Sequence, residues 1–107
     1  MILINRLFFH RDYVGLTLWP FIILRDGYLK SDNALINHER IHLRQQQELL
    51  VLPFYIFYLI EWLFRSIWYM DRYKAYRNLS FEREAYLNEN NLQYLRQRKP
   101  FSFIKYL

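Results

Sequence analysis

The chain has 107 residues, of which 53% are hydrophobic, and this length is typical of one domain with a small core. We therefore expect a single domain over residues 1–107. Lysine and arginine outnumber aspartate and glutamate by 15 to 10, but no nucleic-acid-binding motif accompanies this excess. A solvated basic face is the simpler interpretation, and nucleic acid is not an expected partner. The absence of cysteine excludes disulfides and thiolate metal ligands.

Two apolar segments near the N-terminus predict β-strands, at residues 2–9 and 16–25. Pro20 indicates that the second segment is an edge strand or contains a bulge, and Gly27 favours a turn after this segment. The first segment has no basic region ahead of its apolar run and no small-residue cleavage site, so it does not resemble a signal peptide. We therefore expect a cytoplasmic protein, with membrane association as an alternative.

The sequence from His38 to His42 reads HERIH and matches the HExxH pattern. Residues 33–51 are rich in helix-forming side chains, and Ser31, Asp32 or Asn33 could cap the start of this helix. Histidines four residues apart lie on one helix face. There they can supply half of a tetrahedral zinc site, with Glu39 as the general base. In the alternative interpretation, both histidines are ordinary surface residues of the helix.

A third ligand has to come from elsewhere in the chain. His10, the other histidine, lies in a segment that we interpret as strand or loop, so an acidic residue of a helix predicted at about 80–97 is the better candidate. Ser80 could cap that helix. A helical projection places Glu84 on the apolar, inward face and Glu82 on the opposite face. We therefore predict Glu84 as the third ligand, with Glu82 as the alternative.

Together these motifs resemble those of the gluzincin branch of the zincin metallopeptidases. Their amino-acid sequences are also similar to those of small uncharacterised bacterial zincin-like proteins. The resemblance covers about residues 20–97. The third-ligand segment of gluzincins often reads Glu-x-x-Ala-Asp, which fits Glu82 but puts Tyr86 at the acidic position. The other register fits Glu84, with Asn88 one turn later as a hydrogen-bond partner for the ligand.

The resemblance implies a zincin-like fold, a Zn²⁺ cofactor and hydrolysis of a peptide or protein substrate. The alternative function is a non-catalytic zinc-binding module. In zincins an edge strand beside the metal-binding helix often receives the substrate in extended form, and the segment Phe21–Leu24 resembles that strand. A plain core strand is the interpretation that we favour for this segment.

Residues 49–70 are the most aromatic part of the chain. Their uninterrupted apolar run ends at Glu61, before the length that is needed to span a bilayer. Pro53 restarts or kinks the helix, and Glu61 is spaced for an ion pair with Arg65. We predict a core helix that packs against the HExxH helix, with a membrane surface or a second subunit as alternative partners. The expected fold is α+β, mainly α: an N-terminal β element, the HExxH helix, the aromatic core helix and the third-ligand helix.

Overall fold

The computed structural model describes residues 2–5 and 13–107. His10 therefore lies outside the described residues. Within them, three short strands precede five α-helices, which are β1 (Ile2–Ile4), β2 (Gly15–Leu18), β3 (Phe21–Leu24), α1 (Asn33–Glu48), α2 (Leu52–Tyr69), α3 (Arg72–Arg77), α4 (Ser80–Asn88) and α5 (Tyr94–Gln97). Short 3-10 helices occupy Gly27–Ser31 and Ser102–Tyr106. This mainly helical arrangement with a small sheet confirms the predicted α+β class.

The sheet has the strand order β1-β3-β2, with β3 parallel to β1 and antiparallel to β2. The predicted strand at 16–25 is thus a hairpin, which turns at the cis peptide between Trp19 and Pro20. Residues 22–24 of β3 are buried, which confirms the core-strand interpretation of Phe21–Leu24. The edge strand that lies beside α1 is β2.

Helix α1 begins where the sequence predicts, because the Asp32 carboxylate accepts a hydrogen bond from the backbone N–H of Leu35 at 3.0 Å. It ends at Glu48, and the chain turns by 112° into α2. Leu50 and Val51 both adopt positive φ at this turn. That conformation is costly for a β-branched side chain such as Val51, so the surrounding packing must hold the bend.

The prediction that α2 forms the core is wrong for most of its length. Phe54 is the buried residue of this helix. Eight large apolar residues between 56 and 68 are exposed: Ile56, Phe57, Leu59, Ile60, Leu63, Phe64, Ile67 and Trp68. No single helix in the described part of the chain is long and apolar enough to cross a membrane; only α1 and α2 together, across their bend, reach that length and composition.

Glu61 ties α2 to the start of α4. Its carboxylate pairs with Arg65 at 2.8 Å, as predicted. It also accepts hydrogen bonds from the backbone N–H of Ser80 at 2.8 Å and from the Ser80 hydroxyl at 2.6 Å. Ser80 is therefore the first residue of α4 rather than its cap, and the carboxylate of a neighbouring helix satisfies the free amide.

The two phenylalanines at positions 54 and 57 test how α2 is buried. Phe54 is 2% exposed and its ring centroid lies 4.6 Å from that of Phe81, whereas Phe57 is 56% exposed. We expect Phe54→Ala to lower the free energy of unfolding by about 3 to 5 kcal/mol. Phe57→Ala, the matched control, should cost no more than about 1 kcal/mol. Urea unfolding measures both, and equal losses would contradict the orientation of α2.

Candidate metal centre

Three electron-pair donors meet between α1 and α4. The Nε2 atoms of His38 and His42 lie 3.2 Å apart, and Glu82 Oε1 lies 3.2 Å from the first and 3.1 Å from the second. Ligands at about 2.0–2.1 Å from a tetrahedral zinc ion are separated from one another by about 3.3 Å. The three atoms therefore form a nearly equilateral triangle of the size that one such ion requires.

The hydrogen-bond partners of the two Nδ1 atoms determine which ring nitrogens carry a hydrogen. His38 Nδ1 lies 3.2 Å from Glu89 Oε1, and His42 Nδ1 lies 2.8 Å from Gln45 Oε1. Both of these partners are acceptors, so each Nδ1 donates a hydrogen and each neutral ring presents a lone pair at Nε2. Two lone pairs and a carboxylate oxygen then point at one place, and a bound cation would satisfy all three.

The orientation of the Gln45 amide follows from its own partners. Its Nε2 donates to the carbonyl oxygen of Phe81 at 3.1 Å and to Glu84 Oε1 at 2.9 Å, and the side chain is fully buried. Because only the NH₂ group can serve those two acceptors, Oε1 must face His42. Gln45 thereby orients the His42 ring, a role that the sequence analysis missed although Gln45 lies one turn after His42.

Glu84, the predicted third ligand, does not join the histidines. Its carboxylate forms a buried ion pair with Arg98 and accepts a 2.6 Å hydrogen bond from the Tyr94 hydroxyl. Burial alone would raise the pKa of Glu84, but the hydrogen bonds from Arg98, Tyr94 and Gln45 lower it below its ordinary value. Glu84 supports the site through its contact with Gln45. Glu82, the alternative candidate, lies beside the two histidines, where the sequence predicts Glu84.

The helical projection failed because α4 is covered on both sides. Its Glu82 side faces the histidines of α1, while its Glu84 side faces Arg98 and the C-terminal 3-10 helix. Both glutamates are consequently buried, at 4% and 0% exposure. A projection that assumes one buried face cannot separate two residues that both lie inside the protein.

Glu82 is held ionised by its surroundings. Burial opposes the charge, but the positive charge on His42 and the contacts of both imidazoles with the carboxylate lower the pKa of Glu82 well below its usual range. Its second oxygen, Oε2, accepts a hydrogen bond from the Tyr58 hydroxyl at 3.1 Å. The carboxylate is therefore fixed with one oxygen toward the histidines and the other toward α2.

His42 responds in the opposite direction. Burial lowers its pKa, but the charge of Glu82 and the hydrogen bond to it outweigh this and raise the pKa to about 9. The protein without a metal thus keeps a proton where the three donors meet. A metal ion would displace that proton, as is usual for sites that contain histidine.

Glu39 lies beside the triangle. Its Oε1 accepts a hydrogen bond from the Thr17 hydroxyl at 2.8 Å, and its Oε2 lies 4.0 Å from His38 Nε2. Gly15 passes close by: a Cβ atom there would lie 3.3 Å from Glu39 Cδ and 3.4 Å from Oε2. Strand β2 therefore orients the predicted general base and, lacking a side chain at Gly15, leaves it room.

Two cavities border this glutamate. The larger, of about 390 Å³, reaches Glu39, His42 and Glu82, and its walls include apolar and aromatic side chains of β2 and α2. The smaller, of about 270 Å³, reaches Glu39 and His38 from the other side. Tyr13 and Tyr76 line both. The three converging atoms are buried in the protein but lie beside open space, unlike the closed arrangement of a purely structural zinc site.

The tyrosine hydroxyls around the larger cavity stay protonated. Burial and the nearby charge of Glu82 raise the pKa of both Tyr58 and Tyr76 far above the ordinary value. They therefore remain hydrogen-bond donors at neutral pH.

Gln46, the neighbour of Gln45, attaches β2 to α1. Its Nε2 donates to the carbonyl oxygen of Thr17 at 2.9 Å, and its Oε1 accepts from the backbone N–H of Trp19 at 2.7 Å. The side chain thus pairs with the outer edge of β2 and sets its distance from Glu39. Sequence reasoning missed this contact because it joins residues that are far apart in the chain.

The Gln45 contact predicts how zinc affinity depends on a residue that does not touch the ion. Gln45→Ala removes the acceptor for His42 Nδ1, and loss of such a partner weakens metal binding by about 10- to 100-fold. Gln47→Ala, two positions along the same helix and exposed, is the matched control and should bind as the wild type does. Competition with a chromophoric chelator measures the affinities, and circular dichroism checks the fold. Equal affinities for all three proteins would contradict the role of Gln45.

Comparison with known proteins leaves this centre to be interpreted from its own geometry. No protein-family model, curated protein or solved structure significantly matches the chain.

Proposed function

We propose that this protein is a zinc-dependent peptidase. The observation that carries the proposal is the convergence of His38, His42 and Glu82 on one point, with Glu39 beside them and a cavity in front. Two imidazoles and one carboxylate with an open side are the donor set of catalytic zinc sites such as those of metallopeptidases. The HExxH spacing on α1 supports the same reaction class.

A bound zinc ion would supply Lewis acidity, polarising the substrate carbonyl and making water a stronger nucleophile at neutral pH. The chain's own contribution is proton transfer. Glu39 accepts a proton from the attacking water at Oε2, since Oε1 is held by Thr17, and then passes it to the nitrogen of the leaving amine. The water oxygen forms the new bond to the carbonyl carbon, and the C–N bond breaks. The Tyr76 hydroxyl, which lines the larger cavity, offers a donor for the negative charge that develops, whereas the Tyr58 hydrogen is already donated to Glu82.

The position of β2 supports an extended peptide as the substrate. This strand lies at the edge of the sheet among the described residues, and its residues Gly15, Leu16 and Thr17 line the larger cavity together with Glu39. An edge strand can pair with a peptide backbone and so align it. Because Gln46 already occupies the outer edge at Thr17 and Trp19, this pairing would be confined to the Gly15 end of β2. The resemblance suggested that Phe21–Leu24 receives the substrate. We assign this role to Gly15–Leu18 instead, because β3 is paired with another strand on both sides.

Metal content tests the ligand set. We expect the wild type to bind about one zinc ion per chain, as a three-ligand site does. His42→Ala and Glu82→Gln should lose it, because each removes one of the converging atoms. Glu84→Gln, the matched change two residues away, should retain zinc in the folded fraction. Elemental analysis after gel filtration gives the number of zinc ions per chain. If Glu82→Gln retains zinc and Glu84→Gln loses it, Glu84 is the third ligand, as the sequence first indicated.

Hydrolysis tests the role of Glu39. Glu39→Gln keeps an acceptor for Thr17 but cannot take up a proton, so it should retain zinc and lose about 100-fold or more in turnover. Arg40→Gln, at the neighbouring exposed position, should remain active. A quenched-fluorescence peptide library provides the measurement. If the zinc-loaded wild type cleaves nothing in it, the non-catalytic zinc-binding module becomes the better assignment.

A further inference from the structure

Helix α2 carries an apolar face that nothing in the described structure covers. At about 100° per residue, its eight exposed apolar residues between 56 and 68 fall within an arc of about 180°. They are the residues named above, and their exposures run from 46% at Ile60 to 83% at Trp68. The charged residues of α2, Glu61 and Arg65, lie outside this arc, where they pair with each other. A helix on the surface of a protein normally exposes its charged face to water and buries its apolar face.

The width of this face distinguishes between possible coverings. A helix that packs against a single neighbouring helix buries a stripe about 100° wide or somewhat more. One α2 helix of a second copy would therefore cover only part of a 180° face. A lipid surface covers the whole of it, since an interfacial helix sinks its apolar side about 5–10 Å into the boundary between headgroups and acyl chains.

The C-terminal end of α2 adds charge complementarity. The chain turns there into α3, whose Arg72, Lys74 and Arg77 are exposed. Lys74 Nζ lies 5.0 Å above the ring of Tyr69, so this basic group stands at the same end of α2 as Trp68 and Met70, although on the side of the helix away from the apolar arc. The nearby acid Asp71 is engaged as the cap of α3, accepting from the backbone N–H groups of Tyr73 and Lys74. The local balance is positive.

The side chains at this end also suit a membrane interface. Ile67, Trp68 and Met70 are 76%, 83% and 91% exposed. Tryptophan and tyrosine favour the headgroup level, where one end of the ring is wet and the other apolar. The most exposed apolar residues thus lie at the same end of α2 as the basic residues of α3.

We propose that α2 is an interfacial helix that docks this protein on an anionic lipid surface. Its exposed face enters the lipid, and Arg72 and Lys74 lie among the negatively charged headgroups, whereas Arg77 is stacked on the Tyr86 ring. The argument uses none of the metal-binding residues, so it stands or falls independently of the peptidase proposal.

Vesicle flotation tests the proposal on the full chain. The wild type should bind phosphatidylcholine vesicles weakly and vesicles that also contain phosphatidylserine strongly. Phe64→Ser/Trp68→Ser should abolish binding to both, because it places hydroxyls in the apolar face. Arg72→Gln/Lys74→Gln should lower partitioning onto the anionic vesicles about 25-fold, since each basic residue near such a surface contributes about fivefold.

The control has the same change of charge on another helix. Arg40→Gln/Arg44→Gln removes two exposed basic residues of α1 and should alter partitioning less than twofold. Circular dichroism checks that every variant is folded. No binding of the wild type to either vesicle overturns the proposal, and so does equal binding to both. A dimer in analytical ultracentrifugation that Phe64→Ser/Trp68→Ser dissociates, without vesicle binding, would assign the face to a second copy of the chain.

Discussion

The meeting of His38, His42 and Glu82 is the constraint around which the other elements are arranged. An ionised carboxylate and two imidazole lone pairs are costly to remove from water unless a positive charge joins them. A proton on His42 meets this need in the protein alone. The two helices that carry these residues must therefore approach closely, although Glu82 lies 40 or more positions from either histidine.

Buried polar contacts hold those helices together. Arg98 reaches Glu84 of α4 and Glu48 of α1, while Gln45 links Glu84 to His42. The C-terminal segment thus stabilises the orientation of an imidazole that it does not touch. Each unpaired group inside the protein costs about 1–3 kcal/mol, and Glu48 Oε1 is such an atom at the rim of this network.

The sequence predicted what depends on local rules and missed what depends on distant packing. Helix α1, its Asp32 cap and the Glu61–Arg65 pair follow from spacing and propensity. The projection misplaced Glu82, because periodicity shows a polar face but not that a second layer covers it. The aromatic helix was assigned to the core, because hydrophobicity does not reveal which neighbours are available to bury it.

The two cavities beside Glu39 set a steric limit on what could reach this centre. Typical small-molecule sites enclose about 300–1,000 Å³, so cavities of about 390 and 270 Å³ are small. Tyr13 and Tyr76 line both, and their rings are in edge-to-face contact with centroids 5.3 Å apart. A ligand that occupied both sides would have to pass these rings in a narrow, extended form. Such a centre would discriminate among ligands by the size of the groups that lie next to Glu39. A compact loop would be too wide to enter, whatever its amino-acid sequence.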